Sequence, residues 1–366
     1  MSGALAALGA VAAAYQAVAL AAALRQAIRR RGPAGGAAFH PPVSILKPVH
    51  GLDDRFEKCI RSHAALDYPD YEVLFGVSDA NDPAVPAIER LAREHANVRL
   101  MVCPSRAANG KVGVLMDLAR AARNPVLVVN DADIEVDRNY LREVVPPLAD
   151  EGVGMVTCLY RARAATWPGR IEALGIATDF APGVLVAPLV GVSEFALGST
   201  MVFRARDLER IGGFARIADY IADDYQLSRR IRELGMRVEL SRYVVETSPP
   251  EGGWAAVWRH QVRWARTIRV SRGGGYLGLP VTFATLWAAA LAAAGMWWWA
   301  AGVIAMRLAS AMAGAVALAD RASLRYIWLL PVRDIFAAAV WAAGLAGREV
   351  EWRGKRLKLR RDGRIT

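Results

Sequence analysis

Cysteine is scarce in this 366-residue chain, which has three in all: Cys59, Cys103 and Cys158. The number is odd and no two form a Cys-x-x-Cys pair, which argues against a disulfide framework and against a zinc site. They read as buried free thiols in a reducing compartment. The five histidines show no metal-ligand spacing. No Ser-His-Asp or Cys-His arrangement can be argued, and the Gly-x4-Gly-Lys-Ser/Thr pattern of a P-loop is missing. There is no internal repeat. The one biased segment is the Pro/Gly/Ala-rich stretch 32–42, which reads as a stalk. Acidic residues are outnumbered, 35 to 46, leaving a formal net charge of +11. No RNA- or DNA-binding signature accompanies that charge. Much of it flanks apolar segments instead: Arg25, Arg29, Arg30 and Arg31 after the first, and Lys355, Arg356, Lys358, Arg360 and Arg361 near the carboxy terminus. That placement suits anionic headgroups and a cytosolic membrane face, not nucleic acid.

Apolar residues, by contrast, are abundant, at 54% of the chain with a mean hydropathy of +0.20. They concentrate at the two ends. Residues 3–24 carry no charge and match one bilayer crossing in length. A cleaved signal peptide is disfavoured because the Arg cluster follows the apolar run and no basic region precedes it. That cluster holds its end in the cytosol and predicts a cytosolic central domain at the cytoplasmic membrane. A second block, 277–318, is long enough for two helices with a turn near Gly295, and Trp297, Trp298 and Trp299 suit an aromatic belt. A third stretch, 324–346, carries Pro331, Arg333 and Asp334 and reads either as a short span or as a re-entrant segment. An even number of carboxy-terminal spans keeps the basic tail in the cytosol. The expected division is a membrane anchor (1–31), a cytosolic catalytic domain (32–253), an amphipathic interface helix (254–275), membrane segments (276–347) and a basic tail (348–366).

The central region alternates strand-like and helix-like segments. Strands are expected at 43–46, 72–77, 98–102 and 126–130, and helices at 85–94 and 112–122. This pattern predicts an α/β domain with a mostly parallel sheet, in which ligands lie beyond the carboxyl ends of the strands.

Acidic residues occur at those ends. The apolar run 126–129 leads into Asn130 and then Asp131-Ala132-Asp133, two carboxylates able to share one Mg²⁺ or Mn²⁺. Such an ion would neutralise the diphosphate of a nucleotide-sugar. Asp79 follows the strand ending at Val77 and suits a base or ribose, while Asp82 before Pro83 suits a helix cap. Asp223-Asp224-Tyr225 precedes a helical stretch, where one of the two adjacent carboxylates serves either as a general base or as a cap. Lys111, at the start of a helix after Asn109-Gly110, can approach phosphate. In 254–266, Trp and Arg recur at helical spacing, consistent with an interface helix, with Arg263 or Trp264 as further candidates for closing an active site.

In this order the motifs resemble the ceramide glucosyltransferase family, family 21 of the inverting glycosyltransferases, over roughly residues 40–270. The family pattern is three successive aspartates followed by Gln/Arg-x-x-Arg-Trp. Asp79, Asp131 (with Asp133) and Asp224 match the aspartates, and Arg263 and Trp264 match the end of the last motif. His260 departs from Gln or Arg at that motif's first position. Residues 45–51 and 156–161 are also similar to bacterial relatives that modify hopanoids. The resemblance implies a GT-A fold, a UDP-sugar donor, a divalent metal at Asp131 and Asp133, and donor contacts from Asp79, Asp131 and Lys111. It further implies Asp224 as base and a membrane-lipid acceptor met by His260, Arg263 and Trp264. The reaction implied is glucose transfer to ceramide, or N-acetylglucosamine transfer to a hopanoid. A processive polysaccharide synthase would need more spans. A non-catalytic scaffold would not need to retain the acidic set.

Overall fold

The computed structural model describes residues 2–32, 39–53, 55–193, 195–249, 252–352 and 355–366, so the expected stalk lies largely outside the described residues. The chain forms two compact units. One comprises Pro33–Leu159, Ser193–Ser248 and Arg353–Thr366; the other comprises Met1–Gly32, Tyr160–Val192 and Pro249–Trp352.

The first unit is built on seven strands: β1 (Val43–Val49), β2 (Tyr71–Val77), β3 (Val98–Val102), β4 (Val126–Val129), β5 (Val153–Ala162), β6 (Met201–Arg204) and β7 (Arg237–Thr247). Their order in the sheet is β3-β2-β1-β4-β6-β5-β7. β1 pairs in parallel with β2 and β4, and β2 with β3. β6 runs antiparallel to both β4 and β5. The mostly parallel sheet predicted from the alternation is therefore present, with an antiparallel side contributed by β6. β1 and β4 are buried along their whole length, as strands covered on both faces must be, which is why they read as continuous apolar runs. Leu46, Leu74, Leu115, Leu127 and Phe203 form part of the core on one side.

The strand order reverses between β1 and β4, so a crevice opens at their carboxyl ends. Because β6 is antiparallel, with Met201 opposite Val129, its amino-terminal approach reaches that same end of the sheet.

The second unit is helical. Gly3–Arg31, Trp167–Val190, Trp297–Ala317 and Ile327–Leu345 are long and apolar enough to cross a membrane, and the pair Gly273–Thr282 and Ala284–Ala293 bends by 52°. The turn expected near Gly295 is present, with that glycine at φ +76. Trp297, Trp298 and Trp299 are exposed, as residues of an interfacial belt would be.

The segment Tyr160–Val192 groups with these apolar helices, whereas the sequence reading counts it within a catalytic domain of 32–253. Pro168, Pro182, Pro188 and Asp179 lie within its apolar run, which is nonetheless as hydropathic as the other helices of spanning length. A π-turn, Ile176–Phe180, lies in its middle. Arg307 satisfies the carbonyl of Thr178 at 2.7 Å and pairs with Asp179 at 2.5 Å and Asp334 at 2.6 Å. Arg333 pairs with Asp179 at 2.9 Å. Two cations and two carboxylates thus meet among apolar helices, where an isolated charge would be costly.

Candidate active site

β4 leads directly into Asn130, which is fully buried. Its Nδ2 donates to the Ser199 carbonyl at 2.7 Å and to Thr200 Oγ1 at 3.1 Å. The turn carrying Asp131 and Asp133 is thereby tied to the turn 197–200 that leads into β6. From below, the Lys47 ammonium in β1 donates to the Asp131 carbonyl at 3.0 Å. Burial pulls the Lys47 pKa down to about 8. His63 lies 3.4 Å from Lys47 Nζ; burial holds its pKa well below the usual histidine range, so it stands neutral. Cys59 Sγ donates to the Asp133 carbonyl at 3.2 Å.

Lys111 enters from the helix Gly110–Ala121, whose first turn is fixed by Asn109: its Oδ1 accepts from the amides of Lys111 and Val112 at 3.1 and 3.3 Å. The Lys111 side chain is 6% exposed, and its Nζ lies 2.8 Å from Asp131 Oδ1 and 2.9 Å from Asp223 Oδ2. Burial alone would lower its pKa, but the Asp131 and Asp223 carboxylates outweigh that and raise it, keeping the ammonium charged.

Asp223 and Asp224 occupy the first turn of the helix Asp223–Glu233, where the helix dipole favours negative charge. Asp224 Oδ2 accepts from the Gly198 amide at 3.0 Å, and Oδ1 accepts from the Tyr225 amide at 2.7 Å. Burial, reinforced by the charge on Asp223, pushes the Asp224 pKa up to about 6. Asp133 is also pushed up to about 6, by burial and then by Asp131, and its carboxylate accepts from the Thr247 hydroxyl.

Gly198 is central to this arrangement. A Cβ placed there would stand 3.3 Å from Asp131 Oδ2, 3.5 Å from Lys111 Nζ and 3.6 Å from Asp224 Oδ2. Only a glycine leaves these three predicted site residues uncrowded at this point.

Four of the predicted residues, Lys111, Asp131, Asp133 and Asp224, thus converge at the end of β4, together with Asp223. Asp79 lies exposed after β2, and its Oδ1 accepts from the Asn81 amide at 2.9 Å. Asp82 is more than a local cap: it accepts from the Ala84 amide at 2.9 Å and from the Gly51 amide at 2.9 Å, joining the loops after β1 and β2. His260, Arg263 and Trp264 lie on the helix Gly253–Ser271 of the other unit. There His260 Nδ1 is 2.7 Å from Glu172 Oε1, and the Trp264 ring neighbours those of His260, Phe180 and Tyr160, with centroids 4.5, 6.1 and 6.4 Å away.

Lys47, Asn130 as a tie, and Gly198 belong to the site without being singled out by the sequence. A lysine inside an apolar strand, and a glycine just before one, are the signals that mark the first and last. Among the described residues, no three His, Cys, Asp or Glu side chains converge as a metal cage. Two carboxylate donors suit a hard divalent ion that takes its remaining ligands from phosphate and water.

The doubly wound sheet, with paired acidic residues beyond β4 and a second acidic pair near them, has the fold of a GT-A-type glycosyltransferase domain. The fold is similar to that of the mannosyltransferase PcManGT of Pyrobaculum calidifontis, solved with GDP-Man and Mn²⁺, with a TM-score of 0.56 over 93% of this chain and 99% of that one, at 22% identity. The family model described as Glycosyl transferase family 21 matches residues 4–365, and the chain belongs to that family. It is 24% identical to ceramide glucosyltransferase 1 of Caenorhabditis elegans over 56% of this chain and 44% of the relative. It is 26% identical to beta-monoglucosyldiacylglycerol synthase of Trichormus variabilis over 64% and 49%. The chain thus spans about half the length of these relatives.

Proposed function

We propose that this protein is an inverting glycosyltransferase that moves glucose from UDP-glucose to the hydroxyl of a membrane lipid, ceramide first and diacylglycerol second. The observation that carries the proposal is the convergence of Asp131, Lys111 and Asp224 on Gly198, with Asp223 joined to them through the Lys111 ammonium. The names of the two relatives support lipid acceptors and glucose, and the longer match to the diacylglycerol enzyme is the reason to retain that second acceptor.

In this reading Asp224 takes the proton from the attacking hydroxyl. Its two carboxylate oxygens are fixed by the amides of Gly198 and Tyr225, and its raised pKa suits proton uptake near neutrality. Lys111 balances Asp131 and Asp223 and is a cation available to the donor diphosphate. Asp79 is assigned to the nucleoside. A divalent ion, Mg²⁺ or Mn²⁺, held by Asp131 and Asp133 would supply charge neutralisation to the leaving diphosphate. His260, Arg263 and Trp264 are assigned to the acceptor on the family pattern.

The topology supports a membrane setting. Residues 33–159, 193–248 and 353–366 fold into one unit and so share one side of the bilayer, which the Arg29, Arg30 and Arg31 cluster assigns to the cytosol. The number of crossings between residues 249 and 352 is then even. Trp167–Val190 starts and ends on that side and is read as a re-entrant or in-plane segment rather than a crossing.

The test is an acceptor panel: purified protein in detergent with UDP-glucose or UDP-N-acetylglucosamine, against ceramide, diacylglycerol and bacteriohopanetetrol, read by mass spectrometry. Glucosylceramide or glucosyldiacylglycerol supports the proposal. N-acetylglucosamine on the hopanoid alone would overturn its choice of sugar and lipid.

A further inference from the structure

The last residues of the chain, which the sequence suggests are merely a basic tail, form a small hairpin. Lys358 and Thr366 exchange backbone hydrogen bonds at 3.1 Å each, the Arg360 amide donates to the Arg364 carbonyl at 2.8 Å, and Gly363 makes the turn at φ +84. Leu359 and Ile365 are buried, 1% and 3% exposed. The hairpin adds to residues 219–221 as a short antiparallel strand. The Ile365 amide donates to the Asp219 carbonyl at 2.7 Å, and the Ile221 amide donates to the Gly363 carbonyl at 3.2 Å. Between them the Arg364 guanidinium stands 5.4 Å from the Tyr220 ring centroid.

The same short segment is held on its other side by Asn109. Its amide donates to the Ala218 carbonyl at 2.9 Å and its Nδ2 donates to the Tyr220 carbonyl at 2.9 Å. Asn109 also caps the helix that carries Lys111. Residues 218–222 lead directly into Asp223 and Asp224, and in the described structure they belong to neither a regular helix nor the central sheet. Their backbone is therefore positioned from outside, by Asn109 and by the carboxy-terminal hairpin.

We propose that Arg364 and Ile365 are positioning residues that hold Asp223 and Asp224 in register with Lys111. The hairpin fixes the path of 219–221, the path fixes the first turn of the following helix, and that turn places both carboxylates. The inference rests on the proposed transfer reaction for its kinetic effect, but not for its structural one.

Three full-length variants and one truncation test it: Arg364→Ala, Arg364→Lys, Ile365→Pro, and a chain ending at Lys358. Ile365→Pro removes the amide that donates to Asp219 without removing buried apolar volume wholesale. Losing one or two such hydrogen bonds is expected to lower kcat by about tenfold, with KM for UDP-glucose within about twofold. Arg364→Lys retains most activity, because a cation over the ring remains. A peptide of residues 355–366 added to the truncated enzyme restores part of kcat. Hydrogen exchange supplies a readout independent of turnover: amides 219–224 lose protection in Ile365→Pro and in the truncation, while those of β4 do not. Unchanged protection at 219–224 together with unchanged kcat in Arg364→Ala and Ile365→Pro would overturn the inference. If the wild-type enzyme transferred no sugar, the functional proposal would fail, and the exchange result would still decide this one.

Discussion

Asp223 lies 2.9 Å from Lys111 Nζ, and through that ammonium it is joined to Asp131, which lies 2.8 Å away on the far side of the same nitrogen. Two acidic motifs separated by some ninety residues are thus coupled by one buried cation. Removing it leaves Asp223, 10% exposed, without its counter-charge, while Asp131 is partly relieved by solvent. Lys111→Ala is expected to cost about 2–4 kcal/mol of stability, because breaking a buried pair strands its partner. Denaturant unfolding checks this, and Lys111→Arg recovers most of the loss.

Asp224→Asn keeps the shape of the side chain, and an amide oxygen can still accept from Gly198. It removes the proposed base. Turnover is expected to fall by about 10²–10⁴-fold, while UDP-glucose binding, followed by calorimetry, stays within a few-fold of wild type.

The acid limb of the rate profile follows from the same residue. As the proposed base, Asp224 would act only when deprotonated, and burial with the Asp223 charge raises its pKa to about 6. Activity is therefore full above that value and is lost as pH falls through it. Asp223→Asn removes the raising charge and moves the limb to lower pH. A limb that stays in place in that variant contradicts the assignment.

Gly198 has no room to grow inward. Its Cβ position is 3.3 Å from Asp131 Oδ2 and 3.6 Å from Asp224 Oδ2. Gly198→Ala is expected to lower kcat about tenfold, and Gly198→Val to abolish transfer, with thermal melting shifted by only a few degrees, since the obstruction is in the site and not the core. Steady-state kinetics and a melting curve read the two effects separately.

Topology supplies a prediction of its own. Lys58 and Lys358 are both exposed in one unit. Single-cysteine variants at the two positions should therefore be labelled from the same side of sealed inverted vesicles by an impermeant maleimide.

The parts of this molecule legible in sequence are those where one residue type reports one constraint. β4 reads as an unbroken apolar run because both faces of the strand are covered, and Asp131 and Asp133 stand out because they follow it. Lys47 gives only the weak signal of a lysine in an apolar strand, because its importance lies in a partner reached through the parallel pairing of β1 with β4. Gly198 gives only that of a glycine before a strand; its role appears when antiparallel β6 delivers it to the end of β4. Residues 160–192 group with the apolar helices, a placement the sequence does not signal because Arg307, which compensates Asp179, lies far along the chain. The carboxy-terminal hairpin did have a local signature: Asp362-Gly363 between Leu359 and Ile365 is a hairpin turn flanked by alternating apolar residues, masked by the surrounding basic charge.

The most direct test of the central claim is the anomeric configuration of the lipid product formed from UDP-glucose, read by NMR alongside the Asp224→Asn variant. A single displacement with Asp224 as base predicts a β-linked glucosyl lipid from the wild-type enzyme and none from the variant. An α-linked product, or undiminished transfer by Asp224→Asn, would contradict it.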